Sequence, residues 1–111
     1  MATAIAEGTQ TATVGTEHIL WEDLAANGTY QLVVNLQNLA IGETVELRIY
    51  RSVLSTDAAP SLYAVWRKTR TGADIDVVAV STAVLTTRHL RFTLRQINGT
   101  ARSFRWVVEK A

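Results

Sequence analysis

Over the C-terminal two thirds of the chain, apolar side chains recur at every second position, with arginine or another polar residue between them. Leu47-Arg48-Ile49, Leu90-Arg91-Phe92-Thr93-Leu94-Arg95 and Phe104-Arg105-Trp106 all follow this pattern. Successive side chains of a strand point to opposite faces, so period two predicts strands that bury one face and show arginine on the other. Tyr30, Leu32, Val34 and Leu36 share one face of a further strand. In the segment from Thr44 to Leu54, Val45, Leu47 and Ile49 are expected inward, with Glu46, Arg48 and Tyr50 outward. Leu90, Phe92 and Leu94, then Phe104, Trp106 and Val108, are the inward sets of the last two strands.

The intervening segments are less regular. Gly8 to Val14 alternates small and polar residues as an edge strand does. Ile19, Leu20 and Trp21 are consecutive, which leaves the face of that strand open, and Val65 beside Trp66 poses the same problem later. His18 to Asp23 reads as a short strand; Leu20 to Ala26 is the best helix candidate, but Trp, Asp and Asn weaken it and no helix is expected. Asn27-Gly28 and Asn98-Gly99 are turn signals, the second suited to a tight hairpin, and Thr71-Gly72-Ala73 predicts a short hairpin into Asp74 to Val80. The stretch from Ser55 to Ser61 holds the single proline, Pro60, and predicts an exposed loop. The expected fold is all-β: a single-domain antiparallel β-sandwich, jelly-roll-like, of about eight strands. Residues 1–8 are expected to form a flexible N-terminal arm, and residues 9–111 the sandwich domain.

A chain of 111 residues with 48% hydrophobic and 19% charged residues buries enough surface to fold without a metal or a disulfide. With no cysteine, thiolate metal sites and cysteine nucleophiles are excluded. The first ten residues lack the basic start and apolar core of a secretory leader. No apolar run approaches the length of a membrane helix, so no membrane partner is expected. Charge is segregated along the chain. Residues 1–47 have six carboxylates and no basic residue. Residues 48–111 have eleven basic residues, nine of them arginine, against four carboxylates, formally +7. Two arrangements account for this. Early strands lie beside late ones and the charges pair within one molecule, or opposite surfaces of neighbouring subunits meet. Carboxylates dilute the basic residues, so nucleic acid is not an expected partner.

Nothing in the residues spells a reaction. His18 and His89 are far apart and have no metal-ligand spacing. Ser81, His89 and Asp74 make a triad only on paper, without a nucleophile elbow. Asp74 and Asp76 share a strand face, and blunting an edge explains them better than a cation does. Asn27-Gly28-Thr29 and Asn98-Gly99-Thr100 match the glycosylation sequon, though turn formation accounts for both. No catalytic group, metal or cofactor is expected, and no enzymatic activity. Tyr50, Tyr63, Trp66 and Trp21 offer a stacking surface for sugars if two or three share an exposed face. Trp21 and Trp66 serve equally well as plugs at the ends of the sandwich.

Thr44-Val45-Glu46-Leu47-Arg48-Ile49-Tyr50 resembles the central strand of a group of small proteins found among the structural genes of tailed bacteriophages. Thr93-Leu94-Arg95-Gln96, followed by Gly99-Thr100-Ala101-Arg102-Ser103-Phe104-Arg105-Trp106, is similar to that group's closing hairpin. The chain departs from the pattern at Val80 to Val84, where the group has a proline-containing stretch. The resemblance implies a virion protein, most plausibly a capsid decoration (cement) protein. Such a protein sits on the capsid exterior after assembly in the host cytoplasm, with the major capsid protein as partner. A homo-oligomer is expected with it, a trimer favoured, because a trimer contacts a shell at three places at once and so holds it more tightly than one subunit. The expected interface residues are Thr3, Ile5 and Glu7 of the arm, and Arg48, Tyr50, Arg91, Arg95 and Arg105 facing carboxylates. The competing readings are a carbohydrate-binding module and a tail or connector component of the virion.

Overall fold

The computed structural model describes residues 2–54, 56–72 and 78–111. Nine strands run in the order β1 (Thr3–Thr11), β2 (Glu17–Asp23), β3 (Gly28–Asn35), β4 (Thr44–Arg51), β5 (Ser61–Thr69), β6 (Val78–Val80), β7 (Val84–Thr86), β8 (Leu90–Gln96) and β9 (Ser103–Lys110). All pairings are antiparallel, in two sheets. Sheet A has the order β1-β9-β3, with β6 and β7 both paired to β3, and sheet B has the order β2-β8-β4-β5.

β6 and β7 meet β3 end to end. Val78 to Val80 oppose Asn35 to Val33, and Val84 to Thr86 oppose Tyr30 to Gly28. They form one edge strand interrupted at Ser81. There the Ser81 hydroxyl accepts the Leu32 N–H at 2.9 Å, in the place of a ladder carbonyl, while the Ser81 N–H donates to the Leu32 carbonyl at 2.8 Å. Counted this way the described residues form eight strands, and successive strands alternate between the two sheets except β4 and β5, which pair within sheet B, the arrangement of a jelly roll. The all-β sandwich expected from period two is the fold.

The alternation delivers the core it predicts. Tyr30, Leu32, Val34, Phe104 and Val108 point inward from sheet A, and Val45, Leu47, Ile49, Leu90, Phe92 and Leu94 from sheet B, all buried. Trp21 joins the layers. Its ring lies 5.4 Å from Tyr30 of sheet A and 6.1 Å from Phe92 of its own sheet. The run Ile19-Leu20-Trp21 contains a β-bulge between Ile19 and Trp21, which turns Trp21 inward and leaves Ile19 exposed. At the later ambiguity Trp66 packs against the core and Val65 faces out.

Three expectations need correction. Residues 1–8 are not a free arm from Thr3 onward: β1 pairs with β9 from Thr3↔Lys110 to Thr11↔Ser103, and Ala6 packs against the core. Small residues make this possible, because Gly8 lies directly over the Trp106 indole and a Cβ there would stand 3.3 Å from the ring. The short strand expected over His18 to Asp23 is β2, Glu17–Asp23. β5 and β6 belong to different sheets and do not pair, so the hairpin expected at Thr71-Gly72-Ala73 does not join them; residues 73–77 lie outside the described residues. Asp74 and Asp76 lie outside the described residues. Asn98-Gly99 does not close a tight hairpin either, because β8 lies in sheet B and β9 in sheet A and the two do not pair. β8 ends at Gln96, β9 starts at Ser103, and Gly99 alone adopts the left-handed conformation (φ 81°).

The wider turn wraps a buried carboxylate. Glu43 Oε1 accepts the Ala40 N–H at 2.8 Å and Arg102 Nε at 2.9 Å, and Oε2 accepts the Thr100 N–H at 2.9 Å. Any Cβ on Gly99 would fall 2.3 Å from Glu43 Oε2. Asn98 is consumed in the same knot, accepting the Thr44 N–H and donating to the Gly42 carbonyl. Donation from Arg102 outweighs burial and holds the Glu43 carboxyl down to about 2.

Candidate functional site

The eight residues expected at an interface do not converge. Arg48, Tyr50, Arg91 and Arg95 lie on the outer face of sheet B. Arg105, Glu7 and Thr3 lie on sheet A, and Ile5 is the extra residue at a β-bulge in β1. The two groups occupy opposite sides of the sandwich.

On sheet B the register brings opposite charges abreast. Glu17 opposes Arg95, Arg95 opposes Glu46, and Glu46 opposes Arg67, so one row across four strands alternates in sign. Glu46 is the hub. Its side chain has no exposure although it points away from the core, because Arg48 and Arg67 close over it with Nε–oxygen distances of 2.6 and 2.7 Å. Burial works against its ionisation, and the two arginines outweigh that and keep it below the usual carboxylate range. Glu17 accepts the Tyr50 and Thr93 hydroxyls, both at 2.6 Å. Glu22 takes Arg91 Nε at 2.6 Å and lies 2.7 Å from His89 Nε2, and Arg91 lies over the Tyr50 ring at 5.5 Å. The charge segregation of the chain is thereby explained. All five ion pairs among the described residues join a carboxylate from residues 1–47 to a base from residues 48–111. Arg48 and Arg91, expected to face a partner's carboxylates, are answered within the molecule. Arg95 has no ion pair among the described residues, and its buried Nε lacks a hydrogen-bond partner.

The outer face of sheet A is of another kind. Val107, Val33 and Val80 stand abreast on β9, β3 and β6, with Glu7 of β1 at the end of the row. Val78 and Val80 are 46% and 53% exposed, and Leu85 lies further along the same face. Beside the row is an open depression of about 500 Å³ lined by Glu7, Thr9, Val33, Asn35, Val78 and Arg105. Sequence reasoning missed these valines as surface residues. Their signal was present: Val33 sits between Leu32 and Val34, and Val107 between Trp106 and Val108, so alternation fails and both faces become apolar.

The sheet edges also differ. β2 carries Glu17, His18, Glu22 and Asp23, β5 carries Arg67 and Lys68, and β6 and β7 are short and interrupted, all of which discourage strand addition. β1 is nine residues long with a single charge, Glu7, and is exposed along most of both faces.

The remaining candidate chemistry is tied up. A cleft of about 280 Å³ at one end of the sandwich is lined by Leu24, Ser52, Asp57, Arg88 and His89. Asp57 accepts the Val53 and Leu54 N–H groups, and His89 is held by Glu22. Ser81 serves its bulge, and Asp74, the third member of the paper triad, lies outside the described residues. Among the described residues no group of three metal-ligating side chains converges, and no helix is long and apolar enough to cross a membrane. Of the four aromatics considered for sugar stacking, Trp21 and Trp66 pack on the core, Tyr50 belongs to the sheet B network and Tyr63 is exposed by itself. Comparison with family models, with curated proteins and with solved structures finds no match.

Proposed function

We propose that the protein is a non-enzymatic structural component of a tailed-phage virion, a decoration protein that docks on the outside of the head through the free edge of β1. The observation that carries this reading is that edge. Nine residues of β1, Thr3–Thr11, are paired on one side only and carry a single charge, Glu7, whereas the uncharged opposite edge of the same sheet consists of two three-residue pieces, β6 and β7. Main-chain groups along such an edge accept a further strand, and Thr3, Ile5 and Glu7 give the added strand side chains to pass. The N-terminal segment keeps its docking role, as a fixed edge rather than a loose arm. The phage-like segments supply the identity of the partner, the major capsid protein. The rest of the molecule suits a passive role, with Glu17, Glu22, Glu43 and Glu46 engaged internally over a two-layer core.

The test is co-sedimentation of the purified protein with tailed-phage heads stripped of their decoration proteins. Saturable binding in fixed proportion to the capsid subunit is expected. Lysines on the edge strand oppose strand addition, so the double variant Ile5→Lys, Thr9→Lys is expected to lose at least tenfold in affinity while keeping its melting temperature within a few degrees. Binding confined to tails or connectors would move the protein to another part of the virion. Absence of binding to any virion part would overturn the reading.

A further inference from the structure

We propose that the outer face of sheet A is a contact between two copies of this chain, related by a two-fold axis that lies along the valine row. The contact does not depend on the place in the virion proposed above. Val107, Val33 and Val80 form a straight apolar row across three strands, and no described side chain covers Val80. Burying such a row needs a flat apolar surface opposite, and the chain itself carries one. The molecule measures 43 by 31 by 19 Å, so its broad face can supply the roughly 800 Å² per partner that a stable contact requires.

The charges on either side of the row select a second copy and fix its orientation. On β9, Glu109 and Arg105 both point outward and flank Val107, one toward each end of the strand. Neither has an ion pair among the described residues, whereas three carboxylates on sheet B are all engaged. Along β9 the face therefore runs negative, apolar, positive. A two-fold along the valine row reverses the strand direction of the second copy. It lays valine on valine, Arg105 on the second copy's Glu109, and Glu109 on its Arg105. A surface whose two halves are complementary to each other is what an isologous contact needs. Glu7, at the β1 end of the row, comes near its own counterpart at the solvated rim. It is the one unfavourable approach in this arrangement.

The experiment is sedimentation velocity of the purified full chain across a concentration series, with no capsid present. A reversible monomer–dimer equilibrium is expected. Val33→Asp is expected to abolish it, with far-UV circular dichroism confirming the sheet. Arg105→Glu and Glu109→Arg are each expected to weaken dimerisation at least tenfold, and the double variant Arg105→Glu, Glu109→Arg to restore it to within about threefold of the parent, the signature of a direct pair in a double-mutant cycle. Glu7→Gln is expected to tighten the dimer. A strictly monomeric chain at high micromolar concentration would overturn the contact. Failure of the double charge swap to rescue, or a weakening by Glu7→Gln, would overturn the axis. Loss of head binding without loss of dimerisation would count against the decoration reading alone.

Discussion

The two outer faces of this sandwich are built from the same alternating pattern and reach opposite solutions. Sheet B places Glu17, Arg95, Glu46 and Arg67 abreast, and its carboxylates find donors inside the molecule. Sheet A places Val107, Val33 and Val80 abreast and leaves Arg105 and Glu109 unanswered among the described residues. A charged face is therefore not by itself a docking face. The register decides whether its charges are already used, and the half of the molecule that looked inert in charge terms is the one with surface to spare.

The sharpest way to break this comparison is to remove the hub of sheet B. Glu46 is wholly buried between Arg48 and Arg67, with Arg95 directly opposite. Glu46→Ala leaves three guanidinium groups facing one another with no carboxylate between them. The arginines left behind, Arg48 and Arg67, are 27% and 63% exposed and screened by water, so the loss is that of the charge-assisted hydrogen bonds to the carboxylate, about 1.5–3 kcal/mol. A fall of that size in the free energy of urea unfolding is expected, the largest effect of any single surface-facing substitution on either sheet. A loss below about 1 kcal/mol would mean that the network is an exposed arrangement of little energetic consequence, as isolated surface pairs are.

Acid provides the next test, because it dismantles the carboxylate contacts without touching the valines. Glu46, Glu22 and Glu17 all have their carboxyl pKa values lowered in the folded protein, and Glu43 is lowered from 4.5 to about 2. A carboxyl with a depressed folded value contributes stability that is fully present above its unfolded value and is lost as pH falls through the folded value. The melting temperature is therefore expected to stay level from neutral pH down to about 5 and to fall steeply between about 4.5 and 2. The Glu43 knot alone accounts for up to about 3 kcal/mol of that fall. Glu43→Gln, which cannot titrate, is expected to be less stable at neutral pH and to show a shallower acid decline.

How much of this was visible in the residues depends on what each residue answers to. Val45, Leu47 and Ile49, or Leu90, Phe92 and Leu94, answer only to the pleat of their own strand, so their burial follows from period two. Trp21 answers to a bulge and to the far sheet, Trp66 to its register opposite inward-facing Leu47, and consecutive apolar residues announce neither. The pairing of early acids with late arginines was open as one of two arrangements. Only the strand order, β2 beside β8 and β8 beside β4, decides between them. Glu46 itself was expected outward, and outward it is. Its burial comes from Arg48, two residues along the same face, together with Arg67, twenty-one residues away, which no local pattern connects to it. β1 was misjudged at its start because Ala4, Ala6 and Gly8 have too little side chain to show periodicity, although their smallness is what lets the strand lie against Trp106.

The smallest effect bears most directly on the contrast between the faces. Valine and threonine have nearly the same shape and both favour strands, so Val80→Thr changes little except the affinity of one surface spot for water. Val80 is more than half exposed in the single chain, and a substitution at such a position shifts unfolding free energy by less than about 0.5 kcal/mol. Measured at low concentration, where the chain is monomeric, Val80→Thr is expected to match the parent in urea unfolding. Measured at high concentration it is expected to be the less stable of the two, because binding to the folded state adds stability in proportion to occupancy and only the parent keeps its full apolar row. A difference that is equally large at both concentrations would place the valine inside the monomer's own packing. The face would then be one more part of the core, and the two sides of the sandwich would not differ in kind.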